Sequence, residues 1–225
     1  INAIAKDGDG NLIDPYGGIN DIKKNIFRHV SNAFSEDPLR AIRLARFHTY
    51  EHLNKFSIAE ETKKLLEIIV ESQEIKNLSP DRVWTETERA LSSSNPNIYF
   101  EVLLKFKLHL PYFEALNVPV CNSSLENQIK WSELQINNKF LLGDQLPVPN
   151  SYKNAAYVLE MLLKINNNQN SDYLITALPK INLERNDKLI KKLLILPQLK
   201  YSKDLILKLL PVSYTHLRAH ETIPD

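Results

Sequence analysis

Glu36-Asp37-Pro38-Leu39-Arg40-Ala41-Ile42-Arg43-Leu44-Ala45-Arg46-Phe47 reads as a helix start running into an amphipathic helix, and it sets the fold class. A carboxylate at Asp37 suits the first turn because the helix dipole favours negative charge there. Pro38 needs no intrahelical N–H at that point. Leu39, Ile42 and Phe47 supply the apolar stripe. A three-residue step turns a helix by roughly −60°. Asp37, Arg40 and Arg43 therefore share an arc of about 120°, and Arg46 trails to its side.

One carboxylate and three arginines at regular spacing have two readings. A carboxylate only accepts hydrogen bonds and a guanidinium only donates them. Cytosine and adenine each present an amine donor beside a ring-nitrogen acceptor, whereas guanine and uracil present the reverse. An Asp37/Arg40 pair would accept the first two bases and reject the others. The other reading is a surface i,i+3 ion pair contributing ~0.2–0.5 kcal/mol, with Arg43 and Arg46 bridging to acids such as Glu36 or Glu51.

Outward from this helix the pattern stays helical. Ile58, Leu65, Leu66, Ile69 and Val70 mark a second helix with Ser57 as its cap. Val83, Trp84, Thr87 and Leu91 mark a third, opened by Ser79-Pro80-Asp81. Ile98 to Leu108 makes a fourth, stopped by Pro111. A linker is expected around Leu146-Pro147-Val148-Pro149-Asn150, then helices over 152–165, 171–178, 187–195 and 202–210, the first closed by Asn166-Asn167-Asn168. Four of the five glycines precede residue 19. Residues 1–6 and 11–14 there read as two strands around Asp7-Gly8-Asp9-Gly10. That turn opens like a calcium loop, but Leu12 and Gly18 stand where such a loop needs Gly and Glu.

Composition excludes several classes. With 28 basic and 27 acidic residues, any nucleic-acid contact must come from local patches. Lys191, Lys192, Lys200, Lys203 and Lys208 could form such a face, or simply a solvated helix face. The single cysteine, Cys121, permits no internal disulfide, which points to a reducing cytoplasm. No apolar run approaches the ~20 residues of a membrane span.

Several separated blocks resemble one family. Ile1-Asn2-Ala3-Ile4-Ala5, Ile13-Asp14-Pro15-Tyr16-Gly17-Gly18-Ile19-Asn20-Asp21, Arg28-His29-Val30 and the Glu36–Phe47 run stand in its order and spacing. So does Ser79-Pro80-Asp81-Arg82-Val83-Trp84-Thr85-Glu86-Thr87-Glu88-Arg89-Ala90-Leu91 with Asn95-Pro96. Together they are similar to the middle of bacterial class II tRNA nucleotidyltransferases, the CCA-adding enzymes, from residue 1 to about 120. The resemblance implies a mainly α fold: the helical neck, body and tail of the tRNA nucleotidyltransferase–poly(A) polymerase family behind a short β remnant of the catalytic head. It implies a head remnant over 1–22, a neck over 23–76, a body over 77–145 and an RNA-binding tail over 146–212.

The resemblance also implies roles. Asp37 and Arg40 would read the base, Arg43 and Arg46 would contact the incoming nucleotide, and Asn2 would approach its ribose. Arg82 would brace the base-reading helix with Glu86 beside it, against a purely structural ion pair. Asp14 and Asp21 read as turn and cap residues. The substrates implied are CTP and ATP, the partner is tRNA, and Mg²⁺ would be held by head carboxylates that are not in this sequence. The chain is therefore expected to be a fragment, inactive alone. It has no His-Asp dipeptide, so no metal-dependent phosphohydrolase domain is expected. The segment 213–225, with Ser213-Tyr214-Thr215-His216-Leu217-Arg218-Ala219-His220, is similar to translated sequencing adaptor, and its histidines are assigned to no site. A bacterial poly(A) polymerase fragment and a non-catalytic helical RNA-binding module are the rival readings.

Overall fold

The computed structural model describes residues 4–121, 124–168, 170–200 and 203–207. It is mainly helical and divides into two compact units, residues 1–127 with 137–148, and residues 128–136 with 149–225.

The first unit opens with an antiparallel hairpin, β1 (Ala5–Lys6) and β2 (Leu12–Ile13). Asp7 closes its turn by accepting the backbone N–H groups of Asp9 and Asn11 at 3.0 and 2.7 Å. These hydrogen bonds, led by the Asn11 side chain, hold the Asp7 carboxyl below its ordinary range. Helix α1 (Gly18–Lys23) follows, and Asp14 caps it by accepting from Gly18 N and Ile19 N at 2.7 and 2.8 Å. Gly17 precedes that helix at φ 71°, a conformation that favours glycine.

Two short strands, β3 (Ile26–Phe27) and β4 (Ser57–Ile58), pair in parallel. The helical periodicity did not foretell them, and they correct one expectation. Ser57 caps no helix: it lies in β4, where its N–H donates to Asn25 O at 2.8 Å, and the following helix begins at Glu60 with Ala59 at the N-cap position. Between them runs α2 (Leu39–Phe47), which buries Leu39, Ala41, Ile42, Leu44 and Ala45. Helix α3 (Glu60–Glu71) starts after Ala59 and buries Thr62, Leu66 and Ile69.

Helices α4 (Pro80–Leu91) and α5 (Pro96–Lys105) pack against α2 and each other. Val83, Ala90, Leu91, Tyr99, Phe100 and Leu103 are fully buried there. Each large side chain of this kind contributes ~1.5–3 kcal/mol on burial. The Tyr99 hydroxyl and Thr87 Oγ1 lie 3.0 Å apart, and burial pushes the Tyr99 phenol far up, keeping it a donor. Helix α5 ends well before Pro111. Lys107 turns at φ 57° and Leu108 N returns to Leu103 O at 2.8 Å, so a left-handed C-terminal turn stops the helix.

The second unit contains most of α6 (Asn127–Asn137), with α7 (Asn150–Asn167), α8 (Ser171–Ile181) and α9 (Asp187–Leu193). Tyr152, Ala155, Val158, Leu159, Leu162 and Ile165 form the buried stripe of α7. Helix α6 is absent from the sequence reading. Its buried residues run consecutively from Ile129 to Gln135, so it has no apolar stripe to detect. Residues 203–207 are helical.

Candidate functional site

Helix α2 faces a cleft of about 560 Å³ in the first unit. Arg40 and Arg43 line it from α2, Arg28 and His29 from the segment after β3, and Thr62 from α3. Phe27, Phe34, Leu44 and Phe47 add apolar surface. No carboxylate is among the described lining residues. Cations beside aromatic and aliphatic walls suit a ligand with an anionic part and a flat apolar part.

The spacing on α2 divides the arginines between two environments. Arg40 is exposed, and its Nη1 donates to Ala33 O at 2.7 Å. Arg43 is 45% exposed and its Nε lies 3.3 Å from Glu86 Oε1. Arg46 turns inward and is 7% exposed. Its Nε donates to Glu86 Oε2 at 2.5 Å, its Nη1 donates to the Tyr50 hydroxyl, and its guanidinium lies 4.5 Å from the centre of the Phe47 ring. Arg46 does not line the cleft.

Asp37 lies just outside α2, whose N-cap is Pro38, and its Oδ1 accepts from Leu39 N at 3.2 Å. It does not pair with Arg40, so the i,i+3 ion pair is not formed. Its Oδ2 accepts from Arg82 Nη2 at 2.8 Å instead. Arg82 and Glu86 likewise do not pair with each other. From adjacent turns of α4, Arg82 reaches Asp37 while Glu86 reaches Arg43 and Arg46, with Arg89 Nη1 at 3.6 Å. One helix face thereby fixes both ends of the α2 charge array. Asn2 lies outside the described residues.

Sequence reasoning gave Arg28, His29 and Thr62 no role. Arg28 Nε bonds Asp21 Oδ2 at 2.9 Å, and its Nη1 contacts Glu61, which joins α1 to α3. The Arg28-His29-Val30 block, lying between two structured segments, was the available signal. Of the tail lysines, Lys191 pairs with Asp187 at 2.9 Å, and Lys208 lies outside the described residues. Segment 213–225 also lies outside them. Among the described residues, no three His, Cys, Asp or Glu side chains gather as a metal site. No described helix is long and apolar enough to cross a membrane.

Comparison with known proteins places this architecture. The fold is that of solved tRNA nucleotidyltransferases. A tRNA nucleotidyltransferase complexed with a primer tRNA and an incoming ATP analogue matches 95% of this chain and 68% of its own, with a TM-score of 0.56 at 21% identity. The Bacillus stearothermophilus CCA-adding enzyme in complex with CTP matches 92% of this chain and 55% of its own, with a TM-score of 0.56 at 20% identity. Residues 55–118 match the family described as "Probable RNA and SrmB- binding site of polymerase A". The CCA-adding enzyme of Buchnera aphidicola subsp. Baizongia pistaciae is 57% identical over 118 residues, 52% of this chain and 28% of that protein. The multifunctional CCA protein of Mannheimia succiniciproducens is 51% identical over 119 residues, 52% of this chain and 28% of its own. The matched stretch thus spans just over a quarter of the length of these relatives, and over it the chain is similar to bacterial CCA-adding enzymes.

Proposed function

We propose that this chain is the base-reading and RNA-holding part of an enzyme that adds CCA to the 3′ end of tRNA from CTP and ATP. The observation that carries the proposal is the α2 cleft, which sets Arg40 and Arg43 against aromatic walls without a carboxylate, inside a segment 57% identical to a CCA-adding enzyme. Arg43, steadied by Glu86, and Arg40, steadied by Ala33 O, hold the nucleotide. Asp37 keeps lone pairs beyond its bonds to Arg82 and Leu39 and accepts the exocyclic amine of C or A beside Arg40. The arginine inside the helix, Arg46, acts through packing and does not touch the ligand. Asn2 is assigned to the ribose.

The described residues do not fit a Mg²⁺ site, so no step through the metal is assigned to them. Tail lysines such as Lys192, Lys200 and Lys203 are assigned to the tRNA backbone, where each phosphate contact adds salt-dependent affinity. The cytoplasm is the proposed location.

The test is primer extension on tRNA lacking its CCA end, using a protein that continues this chain to the length of its relatives. Incorporation of C, C and then A supports the proposal. Processive A addition alone identifies a poly(A) polymerase, and no incorporation leaves a non-catalytic RNA-binding module. The chain as given is expected to extend nothing with tRNA, Mg²⁺, CTP and ATP.

A further inference from the structure

A buried hydroxyl stands behind the histidine of the cleft. Thr62 is 1% exposed, and its Oγ1 accepts from the His29 backbone N–H at 3.1 Å and lies 2.9 Å from His29 Nδ1. A hydroxyl has a single proton. With the backbone N–H on its lone pair, its own proton is free to go to Nδ1, and both contacts are then satisfied. With the hydroxyl donating to Nδ1, the ring proton stands on Nε2, since the bond at one ring nitrogen selects the tautomer. Partial burial, and to a lesser degree the Arg28 charge, hold the His29 pKa below its ordinary value, so the ring is neutral near pH 7. The Phe34 ring, 6.1 Å away between centroids and tilted by 50°, flanks the imidazole. Nε2 has no partner among the described residues.

We propose that His29 contacts the ligand in the cleft by donating its Nε2–H to a phosphate oxygen of the bound nucleoside triphosphate, with Thr62 the positioning residue that sets the tautomer. This rests on the reading of the cleft as a nucleotide site. The arginines supply charge there but several orientations. A neutral ring N–H held at its other nitrogen adds one directed donor without adding a further cation. A phosphate oxygen is the acceptor because the lining presents only cations and neutral groups, with no carboxylate to compete for the proton.

The test measures equilibrium binding of CTP and of cytidine to the full-length protein, with ¹⁵N NMR of the His29 ring nitrogens. The wild type should show the Nε2–H tautomer. His29→Phe should raise the Kd for CTP about five- to tenfold, the loss of one hydrogen bond to a charged acceptor, and leave the Kd for cytidine unchanged. Thr62→Val should raise the Kd for CTP less and give a mixture of tautomers, while Thr62→Ser should restore both readouts. Equal weakening of CTP and cytidine by His29→Phe would overturn the phosphate assignment. Wild-type CTP affinity in both folded His29→Phe and Thr62→Val would overturn the whole inference. The underlying site reading has its own control, since CTP affinity unchanged in Arg43→Ala would overturn that reading and this inference with it.

Discussion

Glu86→Gln is the most informative single change, because Glu86 is 4% exposed and carries the negative charge that Arg46, 7% exposed, faces across 2.5 Å. Exposed ion pairs contribute ~0–1 kcal/mol, whereas removing one partner of a buried pair costs ~3–5 kcal/mol by leaving the other charge uncompensated. Here the Arg46 guanidinium retains the Tyr50 hydroxyl and the face of Phe47 at 4.5 Å, and a cation over a ring offsets ~0.5–2 kcal/mol. The cost therefore falls at the low end, ~3 kcal/mol. For a chain of this size that lowers Tm by ~6–12 °C, at ~2–4 °C for each kcal/mol. Trp84 lies on the same helix as Glu86, so urea unfolding followed by its fluorescence in a Trp131→Phe background reports on the first unit. The double variant Arg46→Met with Glu86→Leu should recover most of the loss, since an apolar pair of similar volume needs no compensating charge. A Glu86→Gln loss below ~1 kcal/mol would refute the reasoning, because the pair would then be behaving as a solvated surface bridge.

Three further outcomes are expected. Asp37→Ala in the full-length protein should cost only ~0.5–1 kcal/mol of stability, because its partner Arg82 is 50% exposed, yet lower kcat/KM about tenfold for both CTP and ATP; steady-state kinetics showing a loss for one nucleotide only would contradict shared base reading. Amide exchange should be fast in the exposed β1–β2 hairpin and slow in α2 and α4, since a two-stranded ribbon is marginal in water. Burial holds the His48 pKa below its ordinary value of 6.5 despite two carbonyl partners, Leu44 O at 3.2 Å and Phe56 O at 3.0 Å, and His29 is lowered too. The unfolded chain then binds protons first, so this stability is complete above about pH 6.5 and is lost as pH falls through that value towards the lowered folded pKa; calorimetric Tm should drop over that window, and His48→Gln should flatten the drop.

The helices around Leu39, Leu66 and Val83 were legible because each has an apolar stripe at helical spacing, and the Asp7–Gly10 hairpin because its turn residues specify it. Helix α6 was not, since consecutive burial from Ile129 to Gln135 erases the period. The β3–β4 pairing was not, because two-residue strands at Ile26 and Ser57 carry no alternation and pair across a separation of 31 positions. Ser57 showed the cost of local reasoning: its type suited a cap, but the strand pairing holds it in β4 and the helix starts three residues later.

The site divides along the same line. Spacing on one helix put Arg40 and Arg43 on one face, a local property of the chain, and both line the cleft, whereas Asp37 lies just outside the helix. It could not say which acid each arginine meets: the acids weighed, Glu36 and Glu51, were close in the chain, and only the expected bracing of this helix by Arg82 reached further. The partners found are 45 positions away for Asp37 with Arg82 and 40 for Arg46 with Glu86. Both belong to α4, so one packing contact between two helices determines the whole charge array at once. That also explains why Arg46, alike in sequence to Arg43, differs in environment. One further helical step carries it past the cleft edge and under Tyr50, where a guanidinium can persist only with a buried carboxylate beside it.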